Sequence, residues 1–184
     1  DEHGTYILNS KDLRAVEHVA RLVAIGVDSL KIEGRTKSRY YVARTAQVYR
    51  RAIDDAAAGR PFDPALLLEL DGLASRGYTP GFLERRPSHA LQNYATGHSA
   101  AQRSQFVAQV LQVREDGWAE VETKNRFSVG DALEVIHPQG NRRIRLEAMQ
   151  GAEGQPLQVA PGSPLRVWVP LGLPAEGALL ARLF

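Results

Sequence analysis

Val27-Asp28-Ser29-Leu30-Lys31-Ile32-Glu33-Gly34-Arg35 decides how the first half of the chain folds. Its branched and aliphatic residues, leaving through a glycine, predict a short β-strand. Upstream, Asn9 or Ser10 can cap a helix through Asp12-Leu13-Arg14-Ala15-Val16-Glu17-His18-Val19, with Gly26 as its left-handed stop. Downstream, Ser38 can cap a second helix over residues 39–58, with Val42, Ala46, Tyr49 and Ile53 on one face. Gly59-Arg60-Pro61 closes it, and Pro64 opens a shorter helix through Leu66-Leu67-Leu68-Glu69-Leu70. Helix, strand, helix is a piece of a wound α/β fold, yet this strand lacks a partner. Tyr6-Ile7-Leu8 offers another, and two strands make a poor sheet. A (β/α) barrel completed by upstream sequence resolves the difficulty. The chain is therefore expected to be the C-terminal part of a larger protein, and Asp1 in place of an initiating Met agrees.

From Gly77-Tyr78-Thr79-Pro80-Gly81-Phe82 to Gly97 no period survives. This predicts a connector packed on the first part through Tyr78 and Phe82. Beyond Gly97 the pattern becomes β. Residues 105–113 alternate, Asp116-Gly117 signals a hairpin into 118–122, and further strands follow at 132–136, 142–148, 155–159, 165–169 and 178–183. Short strands between Gly and Pro turns predict a small antiparallel barrel or sandwich able to fold alone. The expected fold is a two-part α+β chain. Residues 1–97 form the C-terminal part of a barrel-like domain with its connector, and residues 98–184 a small β-barrel.

Composition narrows the function. Of 184 residues, 43% are hydrophobic and 24% charged, an ordinary globular mixture that argues against disorder. No run approaches the ~18 apolar residues of a membrane span, and Asp1-Glu2-His3-Gly4 does not open a secretory signal. The expected location is the cytoplasm, with no membrane partner. Cysteine is absent, which excludes disulfides, thiolate nucleophiles and thiolate metal sites within these residues. Histidines at 3, 18, 89, 98 and 137 never have the i, i+4 spacing of a helical metal site, so no metal is expected here. There is no Gly-x-Ser-x-Gly elbow for a hydrolase serine. The formal net charge of +2 does not by itself imply a polyanionic partner, but seven Lys or Arg lie between Lys31 and Arg51 with one acid, Glu33. Such a cluster can meet phosphates or form a solvated helix face.

The densest polar cluster is Lys31-Ile32-Glu33-Gly34-Arg35-Thr36-Lys37-Ser38. In an α/β barrel it would stand where a strand ends and its loop begins, where functional side chains gather. Lys31 and Glu33 share a strand parity and can face the lumen. Gly34 allows close backbone approach to a ligand, and Arg35 and Lys37 supply a fork and a point charge for a carboxylate or phosphate. A Lys–Glu or Glu–Arg ion pair that merely closes the barrel fits the same residues. Tyr40 and Tyr41 beside Arg39 and Arg44 can stack bases along a phosphate track, or simply pack. In the β half, Lys124, Arg126, Arg143 and Arg145 form basic edges that suit RNA or serve packing, with Arg143 and Arg145 on one strand face and Ile144 and Leu146 on the other.

Several of these segments carry a resemblance. Asn9-Ser10-Lys11-Asp12-Leu13, Asp28 to Ser38, Tyr41 with Ala43-Arg44-Thr45-Ala46-Gln47-Val48-Tyr49-Arg50, Gly77-Tyr78-Thr79 with Gly81-Phe82, Gln92-Asn93-Tyr94, and Asn125-Arg126-Phe127-Ser128-Val129-Gly130-Asp131 resemble, in order, the YegQ-type branch of peptidase family U32. The resemblance covers essentially the whole chain. It implies a barrel-like catalytic domain followed by a β-barrel similar to the second domain of elongation factor Tu. The family was first described as collagenase-like proteases. Its YegQ-type members are understood as tRNA hydroxylation proteins that form 5-hydroxyuridine at the wobble position, with prephenate as a required co-substrate.

The resemblance further implies an iron–sulfur cluster held by cysteines upstream of the matched segment, and no cofactor within this chain. It places Glu33, Arg35 and Lys37 on the active face. Arg35 and Lys37 would meet an anion, either a prephenate carboxylate or an RNA phosphate, while Glu33 orients Arg35 or accepts a hydrogen bond from substrate. Arg39, Tyr40, Arg44, Lys124, Arg126, Arg143 and Arg145 are the RNA-binding candidates. The implied partners are tRNA and the upstream part of the same protein, with self-association expected of the isolated chain. Lacking cysteine, this chain alone is expected to be inactive. A peptidase, and a non-catalytic RNA- or protein-interaction module, are the competing functions.

Overall fold

In the computed structural model, which describes residues 11–73, 77–84 and 104–184, the first element is a strand where a helix was expected. Asp12–Leu13 (β1) pairs in parallel with Tyr78–Thr79 (β2). The Asp12 N–H donates to the Gly77 carbonyl and the Arg14 N–H to that of Thr79, each at 2.9 Å. This ladder claims residues whose spacing had suggested a helix, a case of tertiary pairing overriding local pattern. Only a 3₁₀ turn, Val16–His18, and helix α1 (Val19–Ala24) remain helical, with Gly26 beyond them at φ 85°.

Residues 27–34 form neither strand nor helix, correcting the expected central strand. A strand exists only through the N–H and C=O groups of a neighbour. Among the described residues no ladder reaches this segment, and Ile25, Val27 and Ile32 remain exposed. Gly34 is packed for a reason other than ligand approach: a Cβ there would lie 2.8 Å from Val42 Cγ2.

Helix α2 (Arg39–Ala57) follows the expectation closely, the Tyr41 N–H donating to Ser38 Oγ at 3.1 Å. Its inward stripe is Tyr40, Arg44, Thr45, Val48 and Ala52, so the expected face is rotated and Val42 is exposed. The rotation follows from its neighbours: α2 packs on the 3₁₀ turn, on α1 and on α3 (Ala65–Asp71). Val16, Val19, Val48, Leu66 and Leu70 are buried in this unit. Tyr78 packs as expected, its hydroxyl donating to the Leu70 carbonyl at 2.8 Å, with the Arg14 guanidinium 5.0 Å from its ring centroid. The expectations for Tyr6-Ile7-Leu8, the Asn9 or Ser10 cap, the Phe82 side chain and residues 85–97 lie outside what the structure describes.

The chain divides into two units, residues 1–102 and 103–184. In the second, eight strands form: β3 (Ser104–Val113), β4 (Trp118–Thr123), β5 (Phe127–Ser128), β6 (Ala132–Ile136), β7 (Arg142–Arg145), β8 (Val159–Ala160), β9 (Arg166–Pro170) and β10 (Leu179–Leu183). Six make one antiparallel sheet in the order β7-β6-β10-β3-β4-β9, and β5 pairs with β8 apart from it. The sheet curls back on itself. Just past β7, Gln150 exchanges both backbone hydrogen bonds with Trp168 of the opposite edge strand, at 2.9 and 2.8 Å. The expected strand at 155–159 shrinks to β8, since Pro156 has no N–H to give a ladder. The Asp116-Gly117 hairpin forms, and Gly117, at φ 82°, is also where the chain passes closest to Gly172: an added Cβ would sit 3.0 Å from the Gly172 Cα.

Alternation along β4 sends Ala119, Val121 and Thr123 inward. They join Val107, Phe127, Leu133, Val135, Leu146 and Met149 in a core of this unit's own.

Candidate functional site

The site of the first unit is built where β1 and the start of α2 adjoin. Lys37 Nζ lies 2.6 Å from Asp12 Oδ2, and the Tyr41 hydroxyl donates to the same oxygen at 2.9 Å. The Lys37 ammonium also sits 4.7 Å from the centroid of the Tyr41 ring. Burial, then the neighbouring Tyr78 and Asp12, hold the Tyr41 phenol far above its ordinary range. Tyr41 is therefore a neutral hydrogen-bond donor, and its fixed partner is Asp12.

Tyr41, Thr45 and Tyr49 are spaced i, i+4, i+8 and share one face of α2. Tyr49 accepts the Ala15 N–H at 2.8 Å, and burial raises its phenol as well. Thr45 is 8% exposed, and its hydroxyl has no hydrogen-bond partner among the described residues. These three side chains open onto a cavity of about 280 Å³. Its apolar walls are Leu13, Leu22, Leu30 and Ile32, and Lys31 and Glu33 add charge.

The sequence-predicted residues are only partly gathered here. Glu33 and Lys37 line the cavity, whereas Arg35 is exposed and does not line it. Glu33 faces Lys31 at 3.6 Å rather than Arg35, and both partners are well exposed, so the pair adds little to stability. Lys37 is already engaged by Asp12. Tyr40 is 6% exposed, which leaves its ring no open face for a base. Arg44 is buried too, 4.0 Å from Glu69, while Arg39 is exposed. Asp12, Tyr41, Thr45 and Tyr49 are the residues sequence reading missed as a group. The polar i, i+4, i+8 spacing on α2 was the available signal for the last three.

In the second unit, Lys124 is held by Glu122 at 2.6 Å. Arg126, Arg143 and Arg145 are exposed, and none has a side-chain partner among the described residues. On β7 the alternation is as expected: Arg143 and Arg145 point out, and Ile144 packs against the core. Arg142 was not a candidate and has a structural task, donating to the carbonyls of Leu171, Pro174 and Gly172 at 2.6, 2.7 and 3.0 Å. Among the described residues no group of three or more His, Asp or Glu is placed to hold a metal ion, and no described helix is long and apolar enough to cross a membrane.

Comparison with known proteins agrees along the whole chain. The model of peptidase family U32 matches residues 1–93, and that of the peptidase family U32 C-terminal domain matches residues 102–182. The tRNA hydroxylation protein P of Escherichia coli (strain K12) is 58% identical over 100% of this chain, which spans 41% of that protein. Its namesake in Haemophilus influenzae is 53% identical over 99% of the chain, which spans 40% of that protein. Among solved structures, the C-terminal domain of a Geobacillus thermoleovorans U32 peptidase is 26% identical, covering 44% of this chain and 92% of that one, with a TM-score of 0.40.

Proposed function

Since the chain belongs to peptidase family U32, we propose that it is the C-terminal portion of a tRNA-modifying protein that takes part in forming 5-hydroxyuridine at the wobble position. The observation that carries this reading is the 58% identity, over the whole chain, to a tRNA hydroxylation protein. On the same reading the first unit is the C-terminal part of a (β/α) barrel, and the exposed Ile25 and Val27 are where the upstream part of that barrel packs. The curled sheet bridged by Gln150 and Trp168 supports reading the second unit as a small barrel similar to the second domain of elongation factor Tu.

With Lys37 engaged by Asp12, Arg35 is the group of the two left to meet an anion. Its planar fork suits a carboxylate such as that of prephenate, or an RNA phosphate. The iron–sulfur cluster implied by the family does not fit the residues present, since the chain has no cysteine to ligate it. Among the described residues no histidine lines the cavity to serve as the general base of a peptidase.

The experiment is nucleoside mass spectrometry of tRNA from a strain lacking the gene, complemented with the full-length protein, its Arg35→Lys variant, or this chain alone. The full-length protein should restore 5-hydroxyuridine, this chain should not, and Arg35→Lys should restore it only weakly. No change in that nucleoside with the full-length protein would overturn the function. Full restoration by Arg35→Lys would overturn the bidentate role.

A further inference from the structure

We propose that the cavity under Tyr41, Thr45 and Tyr49 receives an uncharged pyrimidine base, and that its hydrogen-bond donors select uracil over cytosine. The identity of the ligand rests on the tRNA reading above; the shape and polarity of the pocket do not.

The charges of the lining are matched in pairs. Lys37 is 2.6 Å from Asp12, and Lys31 is 3.6 Å from Glu33. Among the described residues of the lining an ionic ligand would find no uncompensated charge, which favours a neutral occupant. The cavity still has hydrogen bonds to offer. The Thr45 hydroxyl is buried without any partner among the described residues. A buried hydroxyl left in that state destabilises the fold, and its presence is explained when a ligand completes it. Tyr49 receives the Ala15 N–H but gives its own proton to no described residue. Of the three N–H bonds on the Lys37 ammonium, one is directed at Asp12.

The two obligate donors, Tyr49 O–H and Lys37 N–H, call for two acceptors on the ligand, and Thr45 can act either way. Uracil presents two carbonyl oxygens and one N–H. Cytosine replaces one of those carbonyls with an amino group, which would face a donor and leave both unpaired. The apolar walls of Leu13, Leu22, Leu30 and Ile32 suit a planar ring, and about 280 Å³ gives room for a base drawn out of its stack with part of its ribose.

The test uses the full-length protein and two RNA hairpins differing only in a loop uridine or cytidine, with binding followed by fluorescence anisotropy. The parent should prefer the uridine hairpin by about tenfold, the worth of one such hydrogen bond. Tyr49→Phe, which removes one of the two fixed donors, should bring that ratio near one. Thr45→Val should weaken binding of both hairpins alike, while its melting temperature stays level or rises, because the methyl replaces a hydroxyl the fold does not use. Thr45→Ser, which keeps the hydroxyl, should bind both hairpins as the parent does. Free uridine competing as well as the hairpin would show that the pocket reads the base without its RNA.

A Tyr49→Phe protein that keeps the full preference for uridine overturns the pocket, as does a Thr45→Val protein that binds both hairpins as tightly as the parent. The two failures separate cleanly. If the full-length parent restores 5-hydroxyuridine in cells and Thr45→Val does so equally, the pocket fails and the function stands. If the parent restores nothing, the function fails, and the hairpin ratio decides the pocket by itself.

Discussion

At Tyr41 three effects act in one direction: burial strips water from the phenolate, and Tyr78 and then Asp12 place further oxygen charge beside it. The unfolded chain loses this proton near the ordinary value of about 10, and the folded chain only at higher pH. The stabilisation is therefore fully present below pH ~10 and is lost as pH rises above it. Tyr49, raised by burial, contributes with the same sign. Urea midpoints of the protein should fall as pH rises above about 10, and Tyr41→Phe should flatten that fall without abolishing it. An identical alkaline slope in the variant would mean that Tyr41 keeps no buried proton. The partner of this tyrosine was hidden from the sequence for a specific reason. Asp12 sits in a run with helical spacing, but the ladder to Tyr78–Thr79 makes it a strand residue, and from there its carboxylate meets Lys37 and Tyr41.

Elements whose signals are local were legible. The Ser38 cap, the long run after it and the Gly59 stop predicted α2 to within a residue, because caps and breakers act through bonds a few positions away. Ser38→Ala should cost about 1 kcal/mol, whereas Ser38→Asp, which can accept the same Tyr41 N–H, should cost little. Chemical denaturation of the two variants measures both, and an Ala variant as stable as the parent would show that the cap bond adds nothing. The segment from Val27 to Arg35 fails for the converse reason. Its composition suits a strand, but strand formation depends on a neighbour, and no described residue supplies one. The face of α2 was misjudged for a related reason. Val42 and Ala46 look like core by type, yet the helices and turn packed on α2 lie against Thr45, Val48 and Ala52.

Over the whole molecule, the two units differ in how self-sufficient they are. The second has a core of its own, with Phe127, Leu133, Leu146 and Met149 fully enclosed and Thr123 satisfied by the Gly162 carbonyl and the Leu165 N–H. Residues 103–184 should therefore fold cooperatively when expressed alone. That makes them suitable for asking whether the exposed arginines meet RNA. If Arg143 and Arg145 each neutralise a phosphate, replacing both with Ala should reduce the slope of log affinity against log salt by roughly 1.4 to 1.8, from single strand to duplex. Lys124→Ala provides the contrast, since that ammonium is already held by Glu122 and should move the slope less. Binding isotherms of the 103–184 piece with a tRNA, taken at four salt concentrations, give the three slopes. If the double Arg variant matches the parent, the outer face of β7 does not bind phosphates, and the alternation that exposes these arginines serves only to keep Ile144 and Leu146 in the core.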